Sequence, residues 1–376
     1  MKDPVSIFLE LCKISSPSFE EAPMSAYLRK WARVNGLYCR EDSAGKKISS
    51  DSNNLYITGK TRSSRSPQVV LSAHMDTIHG TCGIKIKSDR GKLCAEGGKI
   101  LGADDKAGIA VIMYAVETLK RENILKNINL MCFFSVCEEL GLKGSSACDM
   151  SMFNKKSFVY VLDSELPVGT IITGAPYLYK FEIRVRGKAS HAGIDPAKGK
   201  NSIKAAAYLI NKFPQGRIDA ETTFNIGIIE GGSKVNIVPE LTTIKGEARS
   251  HRKAKIERIF SKLRRVCKSA EKTCGVKIIF SCEPAFEGYN VDSGHPMARA
   301  FEKAAENAGI PFRKAFSNGG SDANILNARG ICSLNTGIAF KYPHSEKEYI
   351  KSSDINNAGK LFVELCKALT AGGYFV

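Results

Sequence analysis

The sequence predicts an α/β protein with a doubly wound, mostly parallel sheet and a smaller inserted α+β domain. Apolar runs at residues 68–73, 128–137 and 158–162 have the continuous hydrophobic character of strands that are buried on both faces. Helical patterns alternate with these strands up to about residue 174. Beyond that residue the order of elements changes, which indicates a second domain.

The predicted helices of the first domain include residues 20–34 and a long helix after Asp104 and Asp105. That helix places five apolar side chains on one face, namely Ile109, Ile112, Met113, Val116 and Leu119. Helical patterns return at residues 296–308 and 355–371. We therefore expect one catalytic domain built from residues 1–174 and 288–376.

The intervening residues 175–287 predict the inserted domain. Its strands are expected at 177–186, 222–230, 241–248 and 276–282, and its helices at 201–213 and 253–272. The order β-α-β-β-α-β is that of a ferredoxin-like unit. Such a sheet has an open edge that can pair with a second copy, so the sequence predicts a lid or dimerisation domain.

Composition is typical of a globular protein, with 43% hydrophobic and 25% charged residues. No stretch approaches the roughly 20 apolar residues of a membrane span, and the first residues do not begin a secretory signal. We therefore expect a cytoplasmic protein without a membrane partner. The 12 cysteines form no Cys-x-x-Cys pair, and we expect reduced core residues, with Cys132 and Cys137 on opposite faces of one strand.

The net charge of +17 is also typical of nucleic-acid-binding proteins. Much of it lies on the predicted helix 253–272, where basic residues alternate with an apolar face. No zinc finger, basic zipper or interleaved aromatic motif accompanies the charge. The sequence therefore favours a solvated basic face over a nucleic-acid surface.

Acidic residues and a histidine follow the apolar runs. His74 and Asp76 follow the first, Glu138 and Glu139 the second, and Asp163 the third. Ligands of open α/β sheets bind beyond the carboxyl ends of such strands. Each residue alone could be a helix cap or an ion pair, but together they predict a divalent metal site with oxygen and imidazole ligands.

Seven motifs, in this order along the chain, carry a family resemblance. They are Ser-Ala-His74-Met-Asp76-Thr, Gly-Ala-Asp104-Asp105-Lys-Ala-Gly, Cys-Glu138-Glu139-Leu-Gly, the strand end at Asp163, Ser-His191-Ala-Gly, Lys-Val-Asn236-Ile-Val-Pro and Pro-His344-Ser. The set resembles the dizinc superfamily of aminoacylases, glutamate carboxypeptidases and succinyl-diaminopimelate desuccinylases. The segment Gly-Gly-Ser321-Asp322 further resembles the peptidase T branch, whose namesake is an aminotripeptidase.

The resemblance implies two Zn²⁺ ions per chain, with Co²⁺ or Mn²⁺ as possible substitutes. Asp104 would bridge the ions, and the peptide bond that follows it would be cis. His74 and Asp163 would complete one coordination shell, and Glu139 and His344 the other.

Two more residues have predicted catalytic roles near the metals. Asp76 lies two residues after His74 and can orient its imidazole. On an extended chain Glu138 points away from Glu139, so we expect Glu138 to face the water as general base.

The inserted domain supplies the remaining catalytic and binding residues. His191 would donate a hydrogen bond to the developing oxyanion, and the resemblance implies that it serves the neighbouring subunit of a homodimer. Asn236, Arg249 and Ser321 are the predicted substrate-binding residues. Asn318 departs from the aminotripeptidase pattern, in which an arginine is expected at this place.

These expectations predict an aminopeptidase that acts on short peptides, with tripeptides favoured. A deacylase or carboxypeptidase of N-acyl amino acids is the alternative, because the same metals and base serve any small amide. A basic nucleic-acid-binding protein on a hydrolase scaffold is the alternative from a different class.

Overall fold

The computed structural model describes residues 2–59 and 67–374. Within these ranges the chain forms two compact units. The first unit combines residues 1–173, 290–317 and 321–376, and the second combines residues 174–289 with the short segment 318–320. No helix of the described residues is long and apolar enough to cross a bilayer. All 12 cysteines are free thiols.

Helices and strands alternate along much of the chain. The helices are α1 (Pro4–Cys12), α2 (Ala22–Val34), α3 (Ala44–Ile48), α4 (Ala103–Arg121), α5 (Lys143–Ser146), α6 (Ser202–Lys212), α7 (Lys253–Cys274), α8 (Pro296–Ala308), α9 (Asp322–Ala328) and α10 (Ser352–Ala371). The strands are β1 (Tyr38–Glu41), β2 (Leu55–Thr58), β3 (Val69–His74), β4 (Ile86–Asp89), β5 (Lys92–Ala95), β6 (Leu130–Ser135), β7 (Phe158–Val161), β8 (Thr170–Ala175), β9 (Tyr177–Arg186), β10 (Ser190–His191), β11 (Gly216–Asp219), β12 (Thr222–Gly231), β13 (Ile237–Val238), β14 (Leu241–Ser250), β15 (Lys277–Phe286), β16 (Tyr289–Asn290), β17 (Arg313–Phe316), β18 (Ser333–Thr336) and β19 (Tyr349–Lys351).

The main sheet of the first unit has the order β1-β2-β6-β3-β7-β18-β8-β16, with β17 paired to β8. Its four central strands, β6, β3, β7 and β18, are parallel. Every residue of β3, β6 and β7 is buried, which explains their unbroken apolar sequences. Because the strands are parallel, their carboxyl ends meet at one edge. The predicted α/β class with a mostly parallel sheet is confirmed.

Helix α4 packs on β3 and contacts α1 and α10. The five apolar side chains predicted for its inner face are each at most 2% exposed. Burying a side chain of this kind stabilises the fold by about 1.5–3 kcal/mol. The inward face therefore fixes α4 on the sheet, and with it the non-helical start of α4 at Asp104 and Asp105.

The second unit is an antiparallel sheet of order β11-β12-β14-β9-β15. Its core is built from side chains such as Phe181, Ile183, Phe224 and Leu263, and α6 and α7 pack on it. The four long strands have the order of a ferredoxin-like unit, with the first strand in chain order, β9, between the third and the fourth. The β-α-β-β-α-β prediction is confirmed.

Two local features differ from the sequence-based expectations. The three-stranded sheet β19-β5-β4 was not predicted, because its strands have only three or four residues and lack a continuous apolar run. Its hairpin turns at Arg90 and Gly91, which both have positive φ. Strand β6 ends at Ser135, so the expectation that Cys137 lies on this strand is wrong. Cys137 instead lies in a turn with φ of 48°.

Candidate active site

The candidate site lies at the carboxyl edge of the parallel strands in the first unit. His74 is the last residue of β3 and pairs with Ser135, the last residue of β6. Asp163 follows two residues after the end of β7, and Asp104 lies at the start of α4. Four chain segments therefore bring their polar side chains to one edge of the sheet.

Asp104 is held between two imidazoles. Its Oδ1 lies 3.0 Å from Nε2 of His74, and its Oδ2 lies 3.3 Å from Nε2 of His344. The same nitrogen of His344 is 2.8 Å from Oε2 of Glu139. The peptide bond between Asp104 and Asp105 is cis. With one carboxylate oxygen toward each imidazole, Asp104 has the geometry required to bridge two cations.

Two groups of side chains have ligand atoms close enough to share a cation. His74, Glu138 and Asp163 form one group, and His74, Asp104 and Glu139 form the other, with all atoms of a group within 4.8 Å of one another. Oε1 of Glu139 is buried without a hydrogen-bond partner in the described structure. A buried carboxylate oxygen in that position costs free energy unless a cation binds it. The residues present therefore fit metal ions.

The electrostatics of these groups also indicate a metal site. Burial raises the pKa of Glu138, Asp163 and Glu139, because desolvation penalises their charged forms. Hydrogen bonds to Asp104 and Glu139 raise the pKa of His344 to about 10. Two imidazoles are too few to neutralise this set of acids. Divalent cations would supply the missing positive charge.

Asp76 is fully buried and connects two strand ends. Its backbone oxygen lies 2.9 Å and its Oδ1 lies 3.4 Å from Nδ1 of His74, as expected of a group that orients the imidazole. Its carboxylate also accepts hydrogen bonds from the backbone N–H of Glu138 and of Glu139 and from the hydroxyl of Ser18. Asp76 therefore holds both His74 and the turn after β6, which comprises residues 136–139.

Strand alternation, the predicted reason for a separation of Glu138 and Glu139, does not apply. Because β6 ends at Ser135, both residues lie in the turn, and strand alternation does not separate them. The backbone N–H groups of both residues donate to Asp76. A carboxylate oxygen of Glu138 lies in one ligand group with Asp163, and one of Glu139 lies in the other group with Asp104.

The sequence analysis did not identify Glu348, whose carboxylate holds the backbone at Asp104. This side chain is 2% exposed, and it accepts hydrogen bonds from the backbone N–H of Gly102 at 2.8 Å and of Asp104 at 3.0 Å. Burial raises the pKa of Glu348 to about 7. The only available signal was its position four residues after His344.

Asp105 and Lys106 were also left without roles. The carboxylate of Asp105 accepts hydrogen bonds from the backbone N–H of His74 and of Gly108, so it joins β3 to the first turn of α4. Lys106 is fully buried and donates to the carbonyl of Ile14. Burial lowers its pKa to about 8.

In the second unit, His191 lies on the short strand β10 and is exposed. Its Nδ1 accepts hydrogen bonds from the backbone N–H of Gly193 and of Ile194. A neutral imidazole that accepts at Nδ1 carries its proton on Nε2, where it can be donated. The carbonyl of Asn236 accepts from the N–H of Ala192, which places Asn236 beside His191.

The other two predicted substrate-binding residues already have partners. Arg249 donates from Nε to Glu247 at 2.8 Å and from Nη1 to the carbonyl of Asn318 at 3.2 Å. Ser321, in the first unit, is 3% exposed and forms a capping box with Asn324 at the start of α9. A capping box is a structural feature, so the structure gives Ser321 a folding role.

Comparison with known proteins identifies peptidase families along the chain. Residues 174–273 match the peptidase dimerisation domain of the M20 family. Residues 54–182 match peptidase family M28, and residues 291–361 match the M42 glutamyl aminopeptidases.

Three similar proteins extend over nearly the whole chain. The uncharacterised protein YqjE of Bacillus subtilis is 34% identical over 358 residues, which is 95% of this chain and 96% of that protein. The crystal structure of the aminopeptidase PepT of Bacillus cereus is 33% identical, has a TM-score of 0.90 and is covered over 98% of both chains. A tripeptidase of Staphylococcus aureus is 29% identical, with a TM-score of 0.92 and 98% coverage of both chains.

We expect the purified protein to bind about two divalent metal ions, because five side chains offer ligand atoms and one tetrahedral site needs four. Binding at 100 times the dissociation constant stabilises a folded protein by about 2.7 kcal/mol, so a chelator should lower the melting temperature. Elemental analysis and calorimetry with and without chelator would measure both effects. One ion or none per active chain would contradict the dinuclear site.

Proposed function

This chain belongs to the peptidase T-like branch of the M20 metallopeptidase family, and we propose that it is an aminopeptidase that releases the amino-terminal residue of short peptides. The observation that carries the proposal is Asp104 between two imidazoles at the carboxyl edge of the sheet. This arrangement suits two metal ions roughly 3.5–4 Å apart, as in other two-metal hydrolases.

The proposed metal is zinc, which binds imidazole and carboxylate ligands and leaves a position open in catalytic sites. In this assignment Asp104 would be shared by both ions, His74 and Asp163 would hold one, and Glu139 and His344 would hold the other. Cobalt or manganese would be accepted by the same ligands. When bound, such ions would lower the pKa of a water molecule and polarise the substrate carbonyl.

Side chains of the protein handle the protons in this proposal. Glu138 takes a proton from the water and delivers it to the leaving nitrogen. Glu138 is buried at the site, with a carboxylate oxygen in the same group as ligand atoms of His74 and Asp163. The Nε2–H of His191 donates a hydrogen bond to the oxygen that becomes negatively charged, and Asp76 keeps His74 oriented.

A test of these assignments must separate Glu138 from Glu139, because both lie within ligand distance of His74. Glu138→Gln should keep both metal ions while lowering kcat by roughly 10²- to 10⁴-fold, as removal of a general base does. Glu139→Ala should instead lower the occupancy of one metal. Metal analysis and steady-state kinetics on both variants would distinguish the general base from the metal ligand. Loss of a metal in Glu138→Gln, with full occupancy in Glu139→Ala, would reverse the two roles.

We also propose a homodimer that forms through the second unit. Strand β11 pairs only with residues 222–224 of β12, so the outer edge from residue 225 to 231 has no partner strand among the described residues. Exposed apolar side chains accompany this edge: Ile229 is 51% exposed and Ile203 of α6 is 42% exposed. An unpaired, apolar edge is a site for strand pairing with a second copy.

In the dimer, His191 would serve the metal site of the neighbouring subunit. Inactive Glu138→Gln chains refolded together with inactive His191→Ala chains should then recover part of the activity, because one site of each mixed dimer has both groups intact. Sedimentation would verify dimers, and each variant refolded alone is the control. Mixed dimers that remain inactive would place His191 outside the partner's site.

The proposed substrate is a short peptide with a free carboxyl end. A free peptide carboxylate suits Arg249, and charge-assisted hydrogen bonds contribute roughly 1.5–3 kcal/mol each. Asn318 removes the cationic side chain that the family pattern places there, so discrimination between dipeptides, tripeptides and tetrapeptides should be loose.

We expect release of the amino-terminal residue from unblocked short peptides and poorer rates when the carboxyl end is amidated. Arg249→Ala should lower kcat/KM more for the free acid than for the amide, whereas Arg252→Ala, a change at an exposed neighbour paired with Glu221, should affect neither. Mass spectrometry of di-, tri- and tetrapeptides beside N-acetyl and N-succinyl amino acids is the assay. Preference for the blocked compounds would replace the aminopeptidase with a deacylase.

A further inference from the structure

The turn after β6 is held by side chains from three distant segments. Four consecutive backbone N–H groups of this turn donate to side-chain oxygens: Val136 to Asn54 at 3.1 Å, Cys137 to Glu21 at 2.9 Å, Glu138 to Asp76 at 3.0 Å and Glu139 to Asp76 at 3.2 Å. Asp76 belongs to the site already described. Glu21 lies in the loop before α2 and has no assigned role.

The position of Glu21 suggests a helix cap, but its side chain makes no cap bond to α2. The backbone N–H of Ala22 donates to Asp51 instead. Glu21 is fully buried, and its Oε2 accepts a hydrogen bond from the hydroxyl of Ser50 at 2.7 Å. Its Oε1 accepts from the backbone N–H of Phe19 and from Cys137. Four donors from three segments therefore fix this carboxylate in one orientation.

Cys137 needs such support. Its φ of 48° lies in the left-handed region, which a residue other than glycine adopts when surrounding contacts impose it. Both donors of Cys137, the backbone N–H and the thiol, point to Oε1 of Glu21, at 2.9 Å and 3.1 Å. Since Cys137 directly precedes Glu138, the backbone angles of Cys137 set the direction in which the chain continues through Glu138.

We propose that Glu21 is a positioning residue for the catalytic turn: by holding the N–H and the thiol of Cys137, it fixes the backbone that aims Glu138. The inference rests on the proposed role of Glu138 as general base. A displacement of about 1 Å in a reacting group can cost roughly 10²-fold in rate, so a contact outside the metal site can control turnover.

Two conservative variants separate the reach of this side chain from its charge. Glu21→Gln keeps the length and an oxygen that accepts from Cys137, while its amide can donate to the hydroxyl of Ser50. Glu21→Asp keeps the charge but is shorter by one methylene and loses contact with Cys137. Glu20→Gln and Glu20→Asp are matched controls, because Glu20 is the exposed neighbour.

Positioning predicts that Glu21→Asp lowers kcat about 10- to 100-fold, with KM and metal content within about twofold of the native protein. Glu21→Gln should stay within about threefold of native kcat, and the Glu20 variants should be unchanged. If Glu21→Asp retains full kcat, or if Glu21→Gln is as impaired as Glu21→Asp, the positioning role is wrong.

A second measurement does not depend on the reaction. Amide hydrogen exchange of the peptide that contains residues 136–139 should be faster in Glu21→Asp and native-like in Glu21→Gln, because only the first variant releases the N–H of Cys137. Unchanged exchange in Glu21→Asp would overturn the inference even if activity fell. Faster exchange without any peptide hydrolysis by the native protein would instead count against the proposed function, while the support from Glu21 to the turn would stand.

Discussion

The rest of the site depends on one constraint, which is the burial of many carboxylates at one edge of a sheet. An isolated ionised carboxylate is very costly to bury, so each one needs donors, protons or cations. The acids of this site fall into two groups, those bound by backbone N–H groups and those that face an imidazole. Asp76, Asp105 and Glu348 each accept two backbone N–H groups and act as connections between segments. Asp104 and Glu139 face imidazoles instead, and Glu139 has one oxygen with no hydrogen-bond partner among the described residues.

Whether a residue of the site could be predicted from the sequence depends on whether it lies at the end of a buried strand. His74 ends a buried parallel strand, and Glu138 and Asp163 follow two others, so the geometry of the sheet brings them together, and hydrophobicity reveals those strands. Glu21 and Glu348 contact the site across 116 and 244 residues of sequence. Local patterns carry no information about such contacts, because tertiary packing alone creates them.

The turn after β6 shows where pattern reasoning went wrong. The apolar sequence continues through Val136 and Cys137, so a longer strand was expected, with Glu138 and Glu139 on opposite faces. The buried polar side chains of Asn54 and Glu21 capture the N–H groups of Val136 and Cys137, which ends the strand pattern at Ser135. Hydrophobicity predicted the burial of these residues correctly but could not predict which acceptors their backbone would use.

The second unit was predicted more completely because its strands are half-buried. Alternation along β9 is unambiguous, with Phe181, Ile183 and Val185 buried and the residues between them exposed or partly exposed. The individual roles of its polar residues were harder to predict. Arg249 shares one face of β14 with Glu247 and bonds to it, so a substrate carboxylate would have to compete with an existing partner. If Arg249 binds a substrate carboxylate as proposed, its net affinity would be the difference between two charge-assisted contacts.

The network of protein contacts also bears on how the site would bind metal ions. The N–H groups of the turn after β6, the start of α4 and the backbone of His74 are all held by side chains of the protein itself. Little backbone ordering is then left for an arriving cation to impose, and ordering costs otherwise reduce affinity. Since Asp104 already lies between His74 and His344, a metal ion would replace an imidazole–carboxylate contact and relieve the uncompensated charge of its neighbours. Metal binding would therefore also neutralise buried acids, at a site whose backbone is already held by Asp76 and Glu348.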